Sequence, residues 1–484
     1  MPQTAHPDRT SQSLASHWWH DLEPLERRDL RGETVWLALD KVLRSKPIEN
    51  IGKDSFLELS DLVKGFEPDV VSKVFATPEG YFWSRVAYRL VAAAVGAEAP
   101  SSFATRYTSS VKATSAEGAL KTHLNRFGIL ACAIAVVAKE DLELPCSVPT
   151  QGPTSLPGTG YTLDTPDESH LIGVHSGHLL LRVKEMPVSI DPQKASHEFG
   201  YRCPSIRFGD SGLVRMQPAT FNQSGLGAVP KILAAGVDFQ RQQVRCVEQA
   251  LSMIQKYSPE AMPAIESHLR VVSTQRNGSD GPRNSTYSQL PGACVITATN
   301  HVLQMAEDII HEFHHSWLFA LEEDQPLVDA NSDAPVLDCR FYSPWRIDRR
   351  PLYGLIHSSY VFSAAARFWE AVVDDLQAAN DESNDYHYAC SRLVRLSIQL
   401  VDVTQTILRD GTTGLTTICL EMVTALADEA TSRCARLKNK NLGPELTEYY
   451  LDDDGHPFAR EDKRTIGRSH AEHRREADKD SAAA

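Results

Sequence analysis

Apolar residues recur at helical spacing along most of this chain, and one central stretch breaks the pattern. Val302, Leu303, Met305, Ala306, Ile309, Ile310, Phe313, Trp317 and Leu318 fall three and four apart, with no Pro or Gly from His301 to Asp324. That spacing predicts a helix with one buried face. The same period predicts helices over Leu352–Asp375, Tyr386–Leu408 and Thr416–Leu437, with a break at Asp410-Gly411. Earlier in the chain it predicts helices over 22–43 (where Pro24 and Gly32 are expected to interrupt), 54–65, 69–76 and onward from Pro78. Ala116–Lys139, the most apolar, and the amphipathic stretch Pro230–Tyr257 follow. From Glu143 to about Phe208 the prolines 145, 149, 153 and 157 and glycines 152, 158 and 160 predict loops and short strands, with Leu179–Val183 and Leu213–Met216 extended. Leu269–Ser273 and Pro291–Thr297 read as strands, the second leading into the helix after His301.

The expected fold class is α+β, predominantly α-helical with a small sheet in the middle. No eight-strand pattern that could build a cupin barrel is visible. The expected organisation is an N-terminal extension with a helix (1–50), a helical subdomain (51–142) and a mixed loop and strand region with a long helix (143–300). A helical region (301–438) and a polar tail without persistent structure (439–484) complete it.

Composition narrows the function classes. Of 484 residues, 42% are apolar and 23% charged, ordinary for a globular protein, and the net charge of −14 argues against a nucleic-acid binder. Nine cysteines without a C-x-x-C pair, odd in number, predict reduced thiols and a cytoplasmic location. Met1–His20 has no apolar core of a secretory signal. The longest apolar run, Ile129–Ala138, is about ten residues, too short for a bilayer, so no membrane partner is expected. Oligomeric state is not written in the sequence.

Candidate chemistry centres on His311-Glu312-Phe313-His314-His315. On a helix, positions four apart share a face, so His311 and His315 can offer two imidazoles to one metal ion with the Glu312 carboxylate beside them. A buried helix whose histidines bond core carbonyls has the same pattern. A second stretch, Cys339 to Pro351, cannot be helical across Pro344 and Pro351, yet it holds Phe341, Tyr342 and Trp345 with Arg346, Arg349 and Arg350. It reads either as a pocket wall whose guanidinium groups grip a carboxylate or as a packed loop with surface arginines. A third ligand could come from His357 or Glu370. With Glu370, a zinc peptidase using Glu312 as general base follows. With a 2-oxo acid and dioxygen on open positions, a non-haem iron oxygenase follows. His170, His175 and His178 do not share a face cleanly. His197-Glu198 has Tyr201 where a second histidine would be needed, and Asp452-Asp453-Asp454 is a solvated run.

Three blocks carry a resemblance: His311-Glu-Phe-His-His-Ser-Trp-Leu, Arg340-Phe-Tyr-Ser-Pro-Trp-Arg-Ile-Asp-Arg-Arg-Pro-Leu352, and Gly354-Leu-Ile-His-Ser-Ser-Tyr-Val-Phe362, with Phe368-Trp369 after them. Together they resemble the "HExxH motif domain" family of bacterial peptide-modification proteins, over roughly residues 55–438. The resemblance implies an Fe(II)- and 2-oxoglutarate-dependent enzyme that hydroxylates a side-chain Cβ of a ribosomally made precursor peptide, with a fold distinct from the cupin barrels. It implies His311, His315 and His357 as metal ligands and at least one of Arg346 and Arg350 on the 2-oxoglutarate C5 carboxylate. Glu312 would orient a ligand or a metal-bound water. Ser358 stands where the family usually has Gly, and His314 where it often has Gln, which gives His311 a second possible partner. The zinc peptidase, with zinc in place of iron, and a non-catalytic peptide-binding scaffold stand as the alternatives.

Overall fold

Bulky aromatic residues at helical spacing fix the first half of the chain. The computed structural model describes residues 25–45, 53–94, 107–109, 111, 113–217, 237–276, 284–323, 325–329, 341–346, 349–444, 446–452 and 454–459. Among them the protein is an α+β chain dominated by helices, with small sheets and no closed barrel. It divides into two compact units: Pro24–Arg245 with Glu266–Ala298, here the first unit, and Cys246–Ile265 with Thr299–Ala484, the second.

The first unit begins with helices α1 (Leu25–Ser45), α2 (Lys53–Val63), α3 (Pro68–Phe75), α4 (Pro78–Ala94), α5 (Ala116–Asn125) and α6 (Phe127–Ala138). Their core is aromatic: Trp36 stacks on Phe75 at 5.1 Å, and Phe127 lies 4.8 Å from Trp83. Gly32, an expected interruption, sits inside α1. A Cβ there would stand 2.8 Å from the Phe75 carbonyl, so the glycine lets α1 and α3 approach. The single helix expected over Ala116–Lys139 divides at Arg126, and α6 stops at Lys139, which takes a left-handed φ of 60°. Among the described residues, Ala116–Ala138 alone is long and apolar enough to cross a membrane, and most of it is buried inside the protein. His123 is enclosed with its ring nitrogens 2.8 Å from the Trp83 carbonyl and 2.7 Å from the Tyr107 hydroxyl, and burial pushes its pKa down to about 3.

The proline-rich stretch departs from expectation. Instead of loops it forms two 15-residue strands, β1 (Leu142–Leu156) and β2 (Tyr161–His175), paired antiparallel. Two register shifts interrupt the pairing, one between Glu143 and Val148 that spans Pro145, the other between Thr150 and Gly152, while Pro149 and Pro153 stay in register opposite His170 and Asp164. Because β1 pairs only with β2 among the described residues, its prolines withhold no N–H from a second neighbour. β3 (His178–Val183), β4 (Met186–Ile190), β5 (Ser196–His197) and β6 (Gly200–Arg202) complete this sheet in the order β4-β3-β2-β6-β5. A second sheet contains β7 (Ser205–Phe208), β8 (Gly212–Met216), β9 (Val271–Gln275), β10 (Ser285–Thr286) and β11 (Ala293–Thr297), in the order β10-β11-β9-β8-β7. Its β9 lies parallel to both β8 and β11. The long helix α7 (Val237–Tyr257) is described from Val237, and the Pro230 start expected for it lies outside the described residues.

The second unit is a helical stack. α8 (Met262–His268) begins in it. α9 (Val302–Glu322) is the motif helix, followed by α10 (Leu352–Ala378), α11 (Asn384–Asp410) and α12 (Thr417–Asn439), each packed on the next. Their starts are chemically marked. His301, Ser383 and Thr416 accept from the backbone N–H three residues on, and Pro351 precedes α10. Glu307 ties three of these helices together: it accepts from Trp369 Nε1 at 2.8 Å and pairs with Arg392. Farther along, Glu370 joins α10 to α12, 3.0 Å from Arg433 Nε and 2.8 Å from Arg436. Within the polar tail, β12 (Tyr449–Leu451) pairs with β13 (Pro457–Ala459), and the Asp452 carboxylate in their turn accepts from the His456 N–H at 2.7 Å.

Candidate metal centre

The helical spacing of α9 and the start of α10 bring the histidines of the motif to one place. His311 and His315, one turn apart, have ring centroids 4.8 Å apart. His357, six residues into α10, faces His315 with the rings 5.7 Å apart and near-parallel at 17°, and with the two Nδ1 atoms 3.4 Å apart. Two nitrogens bound to one ion at about 2.0–2.1 Å with a near-tetrahedral angle stand roughly 3.3–3.4 Å apart. The His315–His357 pair therefore has the separation of two ligands. The His311 ring lies 4.6 Å from Phe362. Among the described residues no set of three or more His, Cys, Asp or Glu side chains converges as a complete metal site.

The far side of His357 carries a feature the sequence reading missed. Its Nε2 stands 3.0 Å from Glu322 Oε2, and the same oxygen accepts from the Tyr353 hydroxyl at 2.7 Å. A carboxylate at Nε2 accepts the N–H of that nitrogen and so keeps the ring proton there, which leaves the Nδ1 lone pair facing His315. This is the arrangement in which a carboxylate orients a metal-binding imidazole. The signal was present in spacing: Glu322 lies seven residues after His315, two turns along one face, and Tyr353 lies four before His357.

The environment favours neutral imidazoles, the form that binds metals. Burial holds the His311 pKa down at about 4. It holds His315 well below the ordinary value, helped by neighbouring His311 and His357 and by the Arg350 guanidinium. His314 is turned into the core, with Nδ1 2.7 Å from the Ile310 carbonyl, and burial lowers its pKa to about 3. That contact explains its place in the motif as packing. Glu312 is buried on the same helix. Burial, then the charges of Glu307 and Glu312, hold Asp308 protonated well above the usual carboxylate range.

An aromatic wall closes one side. Trp345 stacks on Phe362 at 4.5 Å, Phe362 meets His311, and Phe319 and Tyr353 lie 4.8 Å and 4.5 Å from His357. The loop bearing Trp345 is pinned by a backbone pair between Phe341 and Arg350 and by Gln399 Nε2 donating to the Pro344 carbonyl. Arg350 is half-buried, and its side chain passes the first turn of α10: a Cβ on Gly354 would lie 3.6 Å from Arg350 Nε. Arg346 is exposed. The Arg350 guanidinium is among the charges that lower the His315 pKa. Glu370, the other possible third ligand, is held instead by Arg433 and Arg436. No protein-family model and no curated protein matches the chain.

Proposed function

We propose that this chain is an Fe(II)- and 2-oxoglutarate-dependent peptide hydroxylase acting on a side-chain Cβ of a ribosomally made peptide. The observation that carries the reading is the facing Nδ1 pair of His315 and His357 with Glu322 behind it. The three sequence blocks that resemble the HExxH peptide-modification family support it, since they supply the two histidines of α9, the arginine loop and His357.

The residues divide the work. His315 and His357 would hold the ion through Nδ1, with His311 as the third imidazole. Ferrous iron with 2-oxoglutarate, when bound, would supply the activation of dioxygen, one atom of which would enter the C–H bond and the other the succinate left as 2-oxoglutarate loses carbon dioxide. Glu322 keeps the His357 proton on Nε2, and Tyr353 fixes that carboxylate by donating to it. Arg350 would bind the far carboxylate of 2-oxoglutarate in a forked geometry, drawing on a cation already close enough to depress the His315 pKa. Trp345 and Phe362 give the target side chain an apolar surface and exclude water. A zinc peptidase would take its third ligand from Glu370, whose carboxylate is already paired with two arginines.

The test is incubation with Fe(II), 2-oxoglutarate, oxygen and a short peptide encoded beside the gene. A mass gain of one oxygen with matching succinate supports the reading. Peptide cleavage with zinc alone, and no oxygen added, overturns it.

A further inference from the structure

The first unit contains a second concave site, independent of the metal-centre reading. Helix α3, the turn between β1 and β2 at Gly158–Gly160, and the β7–β8 hairpin line a cleft of about 730 Å³. Four cationic residues line it: Lys73, Arg202, Arg215 and Arg270. The Lys73 and Arg215 side chains have no hydrogen-bond or ion-pair partner among the described residues. Arg202 donates only to neutral oxygens, the Pro192 carbonyl at 2.9 Å and Gln193 Oε1 at 3.2 Å. Arg270 reaches the Glu266 and Leu269 carbonyls.

The two carboxylates that line the cleft do little to offset this charge. Glu266 accepts from the Asp210 N–H, the Ser211 N–H and the Ser211 hydroxyl, so its oxygens serve the β7–β8 turn. Asp69 is exposed in the first turn of α3, where the helix dipole favours it. A basic cleft in a chain of net charge −14 is therefore a local construction. Ser205 and Ser267 add hydroxyl groups to its lining.

We propose that this cleft binds a small phosphate-bearing ligand with two or more negative charges. One carboxylate is satisfied by one guanidinium. Several cations and hydroxyl groups around one space match the oxygens of a phosphate group, which accept charge-assisted bonds from many directions. The volume lies within the roughly 300–1,000 Å³ of small-molecule sites, and the bounded basic area is not the extended surface a nucleic-acid backbone requires.

Calorimetric titration of the full chain with inorganic pyrophosphate at low salt tests this. Binding should be measurable, and Arg202→Ala and Arg215→Ala should each weaken it about tenfold or more. Lys73→Ala, at an exposed position that cannot unsettle the core, should weaken it severalfold. Absence of binding to the wild-type chain, or unchanged affinity in Lys73→Ala and in the folded Arg202→Ala/Arg215→Ala double variant, overturns the proposal. So does displacement of pyrophosphate by an acidic peptide at equal concentration, which would make the occupant a peptide.

Discussion

Glu322 and His357 form one contact, 3.0 Å from Oε2 to Nε2, and it decides which nitrogen of His357 faces His315. The carboxylate sits on the motif helix and the imidazole on the next one, so the contact also sets the spacing of α9 and α10 at the candidate centre. Replacing Glu322 by Ala should lower affinity for Fe(II), or for Co(II) as a stable substitute, by about 10–100-fold, the range for loss of an orienting carboxylate. Glu322→Gln should fall between, because its amide oxygen can still accept from Nε2. Competition against a chromophoric chelator reads this directly. Unchanged affinity in Glu322→Ala would remove the orienting role.

Glu370 separates the two metal chemistries. Its carboxylate pairs with Arg433, which is fully buried and also holds Glu429. Glu370→Ala should cost about 2–3 kcal/mol of stability, somewhat below a fully broken buried pair because Glu429 remains. Metal affinity should not change. A large loss of metal affinity with intact stability would return Glu370 to the ligand set.

The motif helix, its partner helix and the break at Gly411 were legible because a 3.6-residue apolar period runs through them unbroken. The approach of His357 to His315 was legible only through the block resemblance, since nothing in spacing alone tells that residue 357 returns to residue 315. Glu322 was not found because a glutamate near the end of an amphipathic helix has the pattern of an ordinary solvated residue. The stretch after Glu143 was misread for a different reason. Prolines mark loops when a strand has two neighbours, and β1 has only one among the described residues, with two register shifts in the pairing.

His123 makes the first unit sensitive to acid. Its pKa is about 3 in the fold and 6.5 ordinarily, so the fold favours the neutral ring. The stability from this group is complete above pH 6.5 and falls as pH drops toward 3, by about 1.4 kcal/mol per pH unit. Trp83 stacks on the same ring at 5.5 Å and its fluorescence reports the unit. His123→Gln should be less stable at pH 7, losing part of the contact with Trp83 and Tyr107, and its urea midpoint should change less between pH 6.5 and 4. A slope equal to wild type would assign the acid sensitivity elsewhere.

Gly32 tests the packing of α1 on α3. A methyl group there meets the Phe75 carbonyl at 2.8 Å, and backbone cannot move aside as a side chain can. Gly32→Ala should cost about 1–3 kcal/mol despite the better helix propensity of alanine. Thermal unfolding checks the sign: a gain in stability would mean the two helices separate freely.

The central claim is that His315 and His357 hold an iron that consumes 2-oxoglutarate. Succinate formation by the Fe(II)-loaded chain under oxygen, compared between wild type and His357→Ala with metal content measured in both, tests it most directly. The account predicts 2-oxoglutarate-dependent succinate release in wild type, and loss of both metal and turnover in the variant. Wild-type protein that binds iron but releases no succinate, or a His357→Ala variant with full metal content and full turnover, would contradict it.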